Sequence, residues 1–320
     1  MTFTPKTLSC LVASAAILFG ASTSIATSRP APSARSVGSE QLVMQVLLDR
    51  ANFSSGEIDG KGGKNSREAL AAFQAARGLA PGARNRKALL KALGADAVKP
   101  IVSYTITAED VAGPFNKTIP EDATEQSKLP GLYYTSVLEE LAGKFHSAQA
   151  LLKRLNPRAR FIAGEDIRVP NVLGTEQATR AQTGSVKIVV SKKKSVLMVY
   201  DREGQIIFYA PVTSGSEHDP LPFGNWVITD VVRNPTYNYN PALFWDGDQA
   251  NAKVKIAPGP NNPVGVVWMG INVPHYGIHG TPEAGEIGHS ASHGCVRMTN
   301  WDATRVADLV RDGTPVVFEE

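Results

Sequence analysis

The sequence predicts a multidomain α+β chain: a small N-terminal helical bundle, a small α/β module and a C-terminal, mostly-β domain. Three observations carry that reading. Apolar residues recur at helical spacing from Ser39 to Lys99. Between 101 and 173, two short helical patterns are closed by a strand-like Ile167-Arg168-Val169-Pro170. From Val186 onward the texture changes to short β-rich runs separated by turn residues. The 320 residues suit two or three domains at roughly 150 residues each. With 33 Lys+Arg against 30 Asp+Glu, the charge balance demands no nucleic-acid partner.

The first stretch reads as an address. Residues 1–26 hold one charge, Lys6, then an apolar run, TLSCLVASAAILFG, then small residues. Ser24 and Ala26 are spaced like the −3 and −1 positions of a signal-peptidase site. The expectation is an exported protein of a bacterial periplasm or cell wall, cleaved near Ala26, with 27–38 as a linker. An uncleaved anchor is the alternative. Cys10 leaves with the leader, so Cys295 stays as the single cysteine. In an oxidising compartment it is either buried filler or a working thiolate.

In residues 39–99, Val43, Val46 and Leu47 mark one helical face. Ala69, Ala72, Phe73 and Ala76 mark a second, after a cap at Asn65 or Ser66 and before a stop at Gly78. A third helix is expected from Asn85 to Leu93, ended by Gly94. Ile58-Asp59-Gly60, Ala69-Leu70 and Phe73-Gln74 resemble the three-helix peptidoglycan-binding domain. The alternative is a spacer bundle that binds nothing, since no sugar-stacking aromatic stands out.

In residues 101–173, Val137, Leu138 and Leu141 mark one helix, and Leu151, Leu152 and Leu155 another. Asn156-Pro157 and Gly164 to Pro170 resemble a LysM module, which implies binding to N-acetylglucosamine polymers. A plain spacer domain is the alternative. A polar linker, 174–185, leads to residues 186–320. There VKIVV and VLMVY flank Ser191 to Ser195 as a hairpin, with its three lysines read as a solvated loop. Further strands are expected at 205–212, 225–231, 266–269 and 315–318. A helix capped by Asn300 should bury Ala303, Val306, Ala307 and Val310 and stop at Gly313.

Four of the six histidines lie between His275 and His293, and Cys295 follows at once. Two chemistries compete. His275/His279 and His289/His293 are four-residue pairs that could ligate zinc on a helix. However, Pro274, Gly277, Gly280, Pro282, Gly285, Gly288 and Gly294 break helix throughout, and no HExxH occurs. Alternatively, Cys295 is a nucleophile and a histidine is its base. A thiol needs a base or a positive environment to react near neutral pH, and His279, His293 and Arg297 are at hand. Amides around Gly294 and Cys295 could hold an oxyanion.

His279-Gly280-Thr281 followed by Ser292-His293-Gly294-Cys295-Val296-Arg297-Met298 resembles the signature of YkuD-type L,D-transpeptidase catalytic domains. Pro258-Gly259-Pro260, Tyr276-Gly277-Ile278 and Gly313-Thr314-Pro315-Val316 extend the match. The resemblance implies a β-sandwich with the cysteine in a cleft, and cross-linking of peptidoglycan stem peptides without metal or organic cofactor. It implies Cys295 as nucleophile, His279 as base oriented by the Gly280 carbonyl, His293 and Gly294 near the oxyanion, and Arg297 on the donor peptide. Tyr276, Gly280, Thr281, Ser292 and Trp245 are expected near substrate, with Ser292 a structural hydrogen-bonder. Tyr237, Tyr239 and Phe244 join Trp245 as aromatics of an insertion-like stretch. His275 and His289 receive no role. The acceptor could be a stem amine, water (an L,D-carboxypeptidase) or an envelope-protein lysine. Carbapenems are expected to acylate Cys295. A noncatalytic wall-binding protein is the remaining alternative.

Overall fold

Two β-runs that read as continuously apolar turn out to be covered on both faces. The computed structural model describes residues 34–80, 86–174, 185–243 and 252–320. In chain order its helices are α1 (Ala34–Arg50), α2 (Lys64–Ala76), α3 (Arg86–Ala92), α4 (Ala123–Gln126), α5 (Val137–Lys144), α6 (Gln149–Leu155) and α7 (Asn300–Leu309). Strands β1 (Ile101–Thr105) and β2 (Asp166–Pro170) pair antiparallel as a separate ribbon, from Ile101 opposite Pro170 to Thr105 opposite Asp166.

The C-terminal strands are β3 (Lys187–Ser191), β4 (Val196–Tyr200), β5 (Ile206–Pro211), β6 (Thr213–Ser214), β7 (Gly224–Arg233), β8 (Tyr237–Tyr239), β9 (Val254–Ile256), β10 (Val267–Ile271), β11 (Gly277–His279), β12 (Val296–Arg297) and β13 (Pro315–Glu319). Nine of them join in the order β5-β4-β3-β13-β7-β10-β11-β12-β6. Strand β7 belongs to two halves: Gly224 to Val227 pair with β13, while Ile228 to Arg233 pair with β10. Strands β8 and β9 form their own hairpin. The mostly-β fold and the helical N-terminal region agree with the expectation.

Side chains alternate across a strand, so each strand serves two faces. Ile188, Val190, Leu197, Val199, Phe208 and Ala210 point into the core between the two halves, with Ile278, Val296, Met298 and α7 residues Ala303 and Val306. Their neighbours Val189, Val196, Met198 and Tyr209 point the other way, onto Leu47, Leu48, Phe53, Phe73, Leu89 and Leu93 of the N-terminal region. This is why VKIVV and VLMVY lack a polar alternation. Each such buried side chain contributes about 1.5–3 kcal/mol. Helix α1 has a second apolar face. Its Leu42 and Val46 pack with Leu141, Phe145, Leu151, Leu152, Ile167 and Val169 of the β1/β2 region. Residues 34–320 therefore form one compact unit.

Several local expectations shift. Helix α1 begins at Ala34, inside the stretch read as linker. Helix α2 begins after Gly63, with no side-chain cap, so neither Asn65 nor Ser66 is its cap. Asn65 instead donates to Ile287 O at 2.9 Å, and Ser66 is buried against Gln45. The cap of α7 is Thr299, whose hydroxyl accepts from Asp302 N, and Asn300 is the first helical residue. The helix ends at Leu309, and Gly313 (φ +80°) serves the turn before β13. Lys192 is not part of a solvated loop: its ammonium donates to the carbonyls of Ser214 and Gly215, while Lys193 and Lys194 are exposed. Among the described residues, no helix is long and apolar enough to cross a membrane. The expected leader and the 27–33 part of the linker lie outside the described residues.

Candidate functional site

Strands β11 and β12 run parallel, with Ile278 opposite Val296 and His279 opposite Arg297. Cys295 directly precedes β12, so this register sets it level with Gly277, two residues before His279 on the neighbouring strand. Cys295 and His279 both line a cleft of about 1230 Å³ with Tyr276, Thr281, Ser292, His293 and Arg297.

His279 is buried and its ring stacks on Trp268, the cross-strand partner on β10, with centroids 5.5 Å apart. Its Nδ1 donates to the Gly280 carbonyl at 2.6 Å. A carbonyl only accepts, so Nδ1 carries the proton and Nε2 is left as the basic nitrogen. Burial lowers the imidazole pKa to about 4, against the opposing pull of the Gly280 carbonyl. His279 is a neutral base at pH 7.

Cys295 is half-buried, and its Sγ lies 3.5 Å from the His275 carbonyl. Burial pushes its thiol up to about 11, although the Gly277 amide and Arg297 both favour the thiolate. Desolvation outweighs them. The resting groups are thus a thiol and a neutral imidazole.

Gly294 has φ +96°, and a Cβ there would stand 2.6 Å from the Tyr276 ring. Only glycine permits that backbone against that ring. The Ser292 hydroxyl accepts from Gly215 N at 2.7 Å and donates to the Cys295 carbonyl at 2.6 Å, which fixes the turn carrying the thiol. Ser292 is buried at the cleft lining. Arg297 reaches Ala291 O at 3.4 Å and lies 3.7 Å from the Glu283 carboxylate. Thr281 is buried, and its hydroxyl accepts from Glu283 N. His293 is exposed at the cleft and His289 is exposed beside it in sequence. Tyr237 lines the cleft; Phe244 and Trp245 lie outside the described residues. No group of three or more potential metal-ligating side chains occurs among the described residues.

Sequence reasoning missed three features. Trp268 backs the imidazole. Asn300 braces the loop behind it, accepting from Val266 N at 3.1 Å and donating to Pro260 O at 2.9 Å. A buried charge cluster also lies against the first half of α7. Asp49 of α1 takes two hydrogen bonds from Arg305, at 3.0 and 2.9 Å, and faces His146 Nδ1 at 3.2 Å. His146 stacks on Trp301. No local motif marks this cluster, because its members come from three distant stretches of chain.

Residues 185–318 match the family described as "L,D-transpeptidase catalytic domain" (YkuD), and residues 38–82 match "Putative peptidoglycan binding domain". Two relatives named "Putative L,D-transpeptidase YkuD" come from Bacillus licheniformis and Bacillus subtilis. They are 29% and 26% identical over 182 and 186 residues, which is 56% and 57% of this chain and 91% and 92% of theirs. The solved structure of L,D-transpeptidase 3 from Mycobacterium tuberculosis aligns at 18% identity and a TM-score of 0.36, over 42% of this chain and 61% of that one.

Proposed function

We propose, on the premise that residues 185–318 are an L,D-transpeptidase catalytic domain behind an N-terminal peptidoglycan-binding domain, that this chain forms 3→3 cross-links between stem peptides through a thioester on Cys295. The observation that carries the reading is the pairing of β11 with β12. It supports a nucleophile and a base of fixed tautomer in one cleft.

In this mechanism substrate binding precedes ionisation. The Cys295 proton passes to His279 Nε2 as sulfur attacks the carbonyl of the third residue of a tetrapeptide stem. The oxyanion takes hydrogen bonds from amides near Gly294 and Cys295, with His293 and Arg297 alongside. The carbon–nitrogen bond breaks, and terminal D-alanine leaves with the proton from His279. A side-chain amine of a second stem then attacks the thioester and gives its proton to His279. The carbon–sulfur bond breaks, and His279 returns the proton to sulfur. Water in place of the amine would yield a tripeptide, and a protein lysine would yield a tethered protein. Residues 1–26 would direct export and be removed near Ala26. The helical N-terminal region and the LysM-like 101–173 region would hold the enzyme on its polymer. A carbapenem would acylate the same sulfur.

The test is incubation of the mature chain with a disaccharide-tetrapeptide, read by mass spectrometry beside Cys295→Ala. Dimer formation with loss of D-alanine, absent from a Cys295→Ala variant that still folds, is expected. Full turnover in Cys295→Ala would remove the nucleophile assignment.

A further inference from the structure

The connection between β1 and α5 runs from Ile106 to Ser136, far longer than the handful of residues such a link needs. It leaves the ribbon and docks on the catalytic region. Leu132 N donates to Pro258 O, and Asn261 N donates to Leu132 O, both at 2.9 Å. Asn261 Nδ2 donates to Tyr133 O at 2.9 Å and to Glu139 Oε1 at 3.0 Å. Glu139 also accepts from Thr135 N at 2.6 Å, so one carboxylate ties the connection to both partners. Gly259 has φ +149°, and a Cβ there would stand 2.1 Å from the Leu132 carbonyl oxygen. The two backbones approach as closely as glycine allows. Helix α4, within this connection, packs against β9 of the hairpin whose other strand carries Tyr237.

The connection therefore supplies one wall of the cleft. Ile119, Pro120, Glu121, Gln126 and Thr135 line the same cleft as Cys295 and Arg297. The described lining holds four carboxylates, Glu121, Glu139, Asp219 and Glu283, and one guanidinium, Arg297. Arg297 and Glu283 lie near each other, and Glu139 is held by its latch. Glu121 is exposed on the wall itself. A cleft with this balance repels a second anionic chain and favours a cation.

We infer that the 107–136 connection is a specificity wall, and that Glu121 on it selects an acceptor peptide bearing a primary ammonium. This rests on the acyl-transfer reading above. The ammonium loses one proton to water, and the resulting amine attacks the thioester carbonyl. The new carbon–nitrogen bond forms as the carbon–sulfur bond breaks, and the second proton passes through His279 to sulfur.

The experiment uses the full mature chain, as wild type, Glu121→Gln and Glu121→Lys. Acylation by a carbapenem reads the first half-reaction. The ratio of dimer to tripeptide, over a series of acceptor-stem concentrations, reads the second. Acylation should proceed at one rate in all three. Glu121→Lys should raise the acceptor KM, and lower the dimer ratio at subsaturating acceptor, about fivefold or more, the scale of one exposed charge–charge contact. Glu121→Gln should fall between, kcat at saturating acceptor should hold, and high salt should shrink the differences. A thioester on Cys295 whose fate is indifferent to Glu121→Lys overturns the wall alone. So does a wild-type thioester that yields only tripeptide at every acceptor concentration. Absence of any wild-type thioester overturns the acyl-transfer reading and the wall with it.

Discussion

Burial disfavours the charged form of both Asp49, paired with Arg305 of α7, and Cys295, half-buried in the cleft, yet the two finish in opposite charge states. At Asp49, burial pushes the carboxyl up, but Arg305 and His146 together outweigh it and hold the group below the usual carboxylate range. At Cys295, burial pushes the thiol to about 11, and a single guanidinium with one amide cannot pull it back. The difference is geometric. Arg305 presents two N–H groups to two oxygens of Asp49, whereas Arg297 turns toward Ala291 and Glu283. A fully matched ion pair holds elements together. A thiol denied such a match stays protonated.

That contrast can be broken at the ion pair. Asp49→Ala leaves Arg305 buried without its carboxylate, and unfolding free energy should fall by about 3–5 kcal/mol. Denaturant titration checks this, and a loss below about 1 kcal/mol would mean that Arg305 finds water instead. The Asp49 contribution is present above the unfolded carboxylate pKa near 4 and is lost as pH falls through the depressed folded value.

At the cleft, His279→Ala keeps the thiol but removes the base. Acylation by a carbapenem should slow by about 100-fold or more, the low end of general-base contributions. An unchanged rate in stopped-flow would take His279 out of the role.

The comparison is sharpened by pH. With the free thiol near 11, alkylation of Cys295 by iodoacetamide should rise about tenfold per pH unit from 7 to 10 without a plateau. A plateau near pH 7 would reveal a preformed ion pair. The neutral imidazole near 4 should keep His279 competent as a base down to about pH 5.

The two regions were unequally legible from sequence. The cleft could be read because its parts sit within one stretch: His279, Gly280 and the Ser292 to Met298 run carry chemistry at fixed spacing. The strands at Val196–Tyr200 and Pro315–Glu319 were equally plain, because β-branched runs between turn residues have few other uses. The Asp49–Arg305–His146 cluster was invisible, since an acidic residue late in a helix reads as a surface charge until the fold closes over it. Asn300 was misread for a related reason. Thr299 and Asn300 are both good caps, and only the nearby Pro260 and Val266 backbone groups decide which side chain is needed elsewhere. The 107–136 connection has no periodicity, so its reach to the cleft had no signal at all.

The outward face of β3, β4 and β5 has one more consequence. Val189, Val196, Met198 and Tyr209 are covered only because the helices before them in sequence fold back over them. A fragment beginning at Val186 would present that face bare, as a sticky sheet inviting self-association. Joining residues 186–320 to a new partner would first require a new cover for those four side chains.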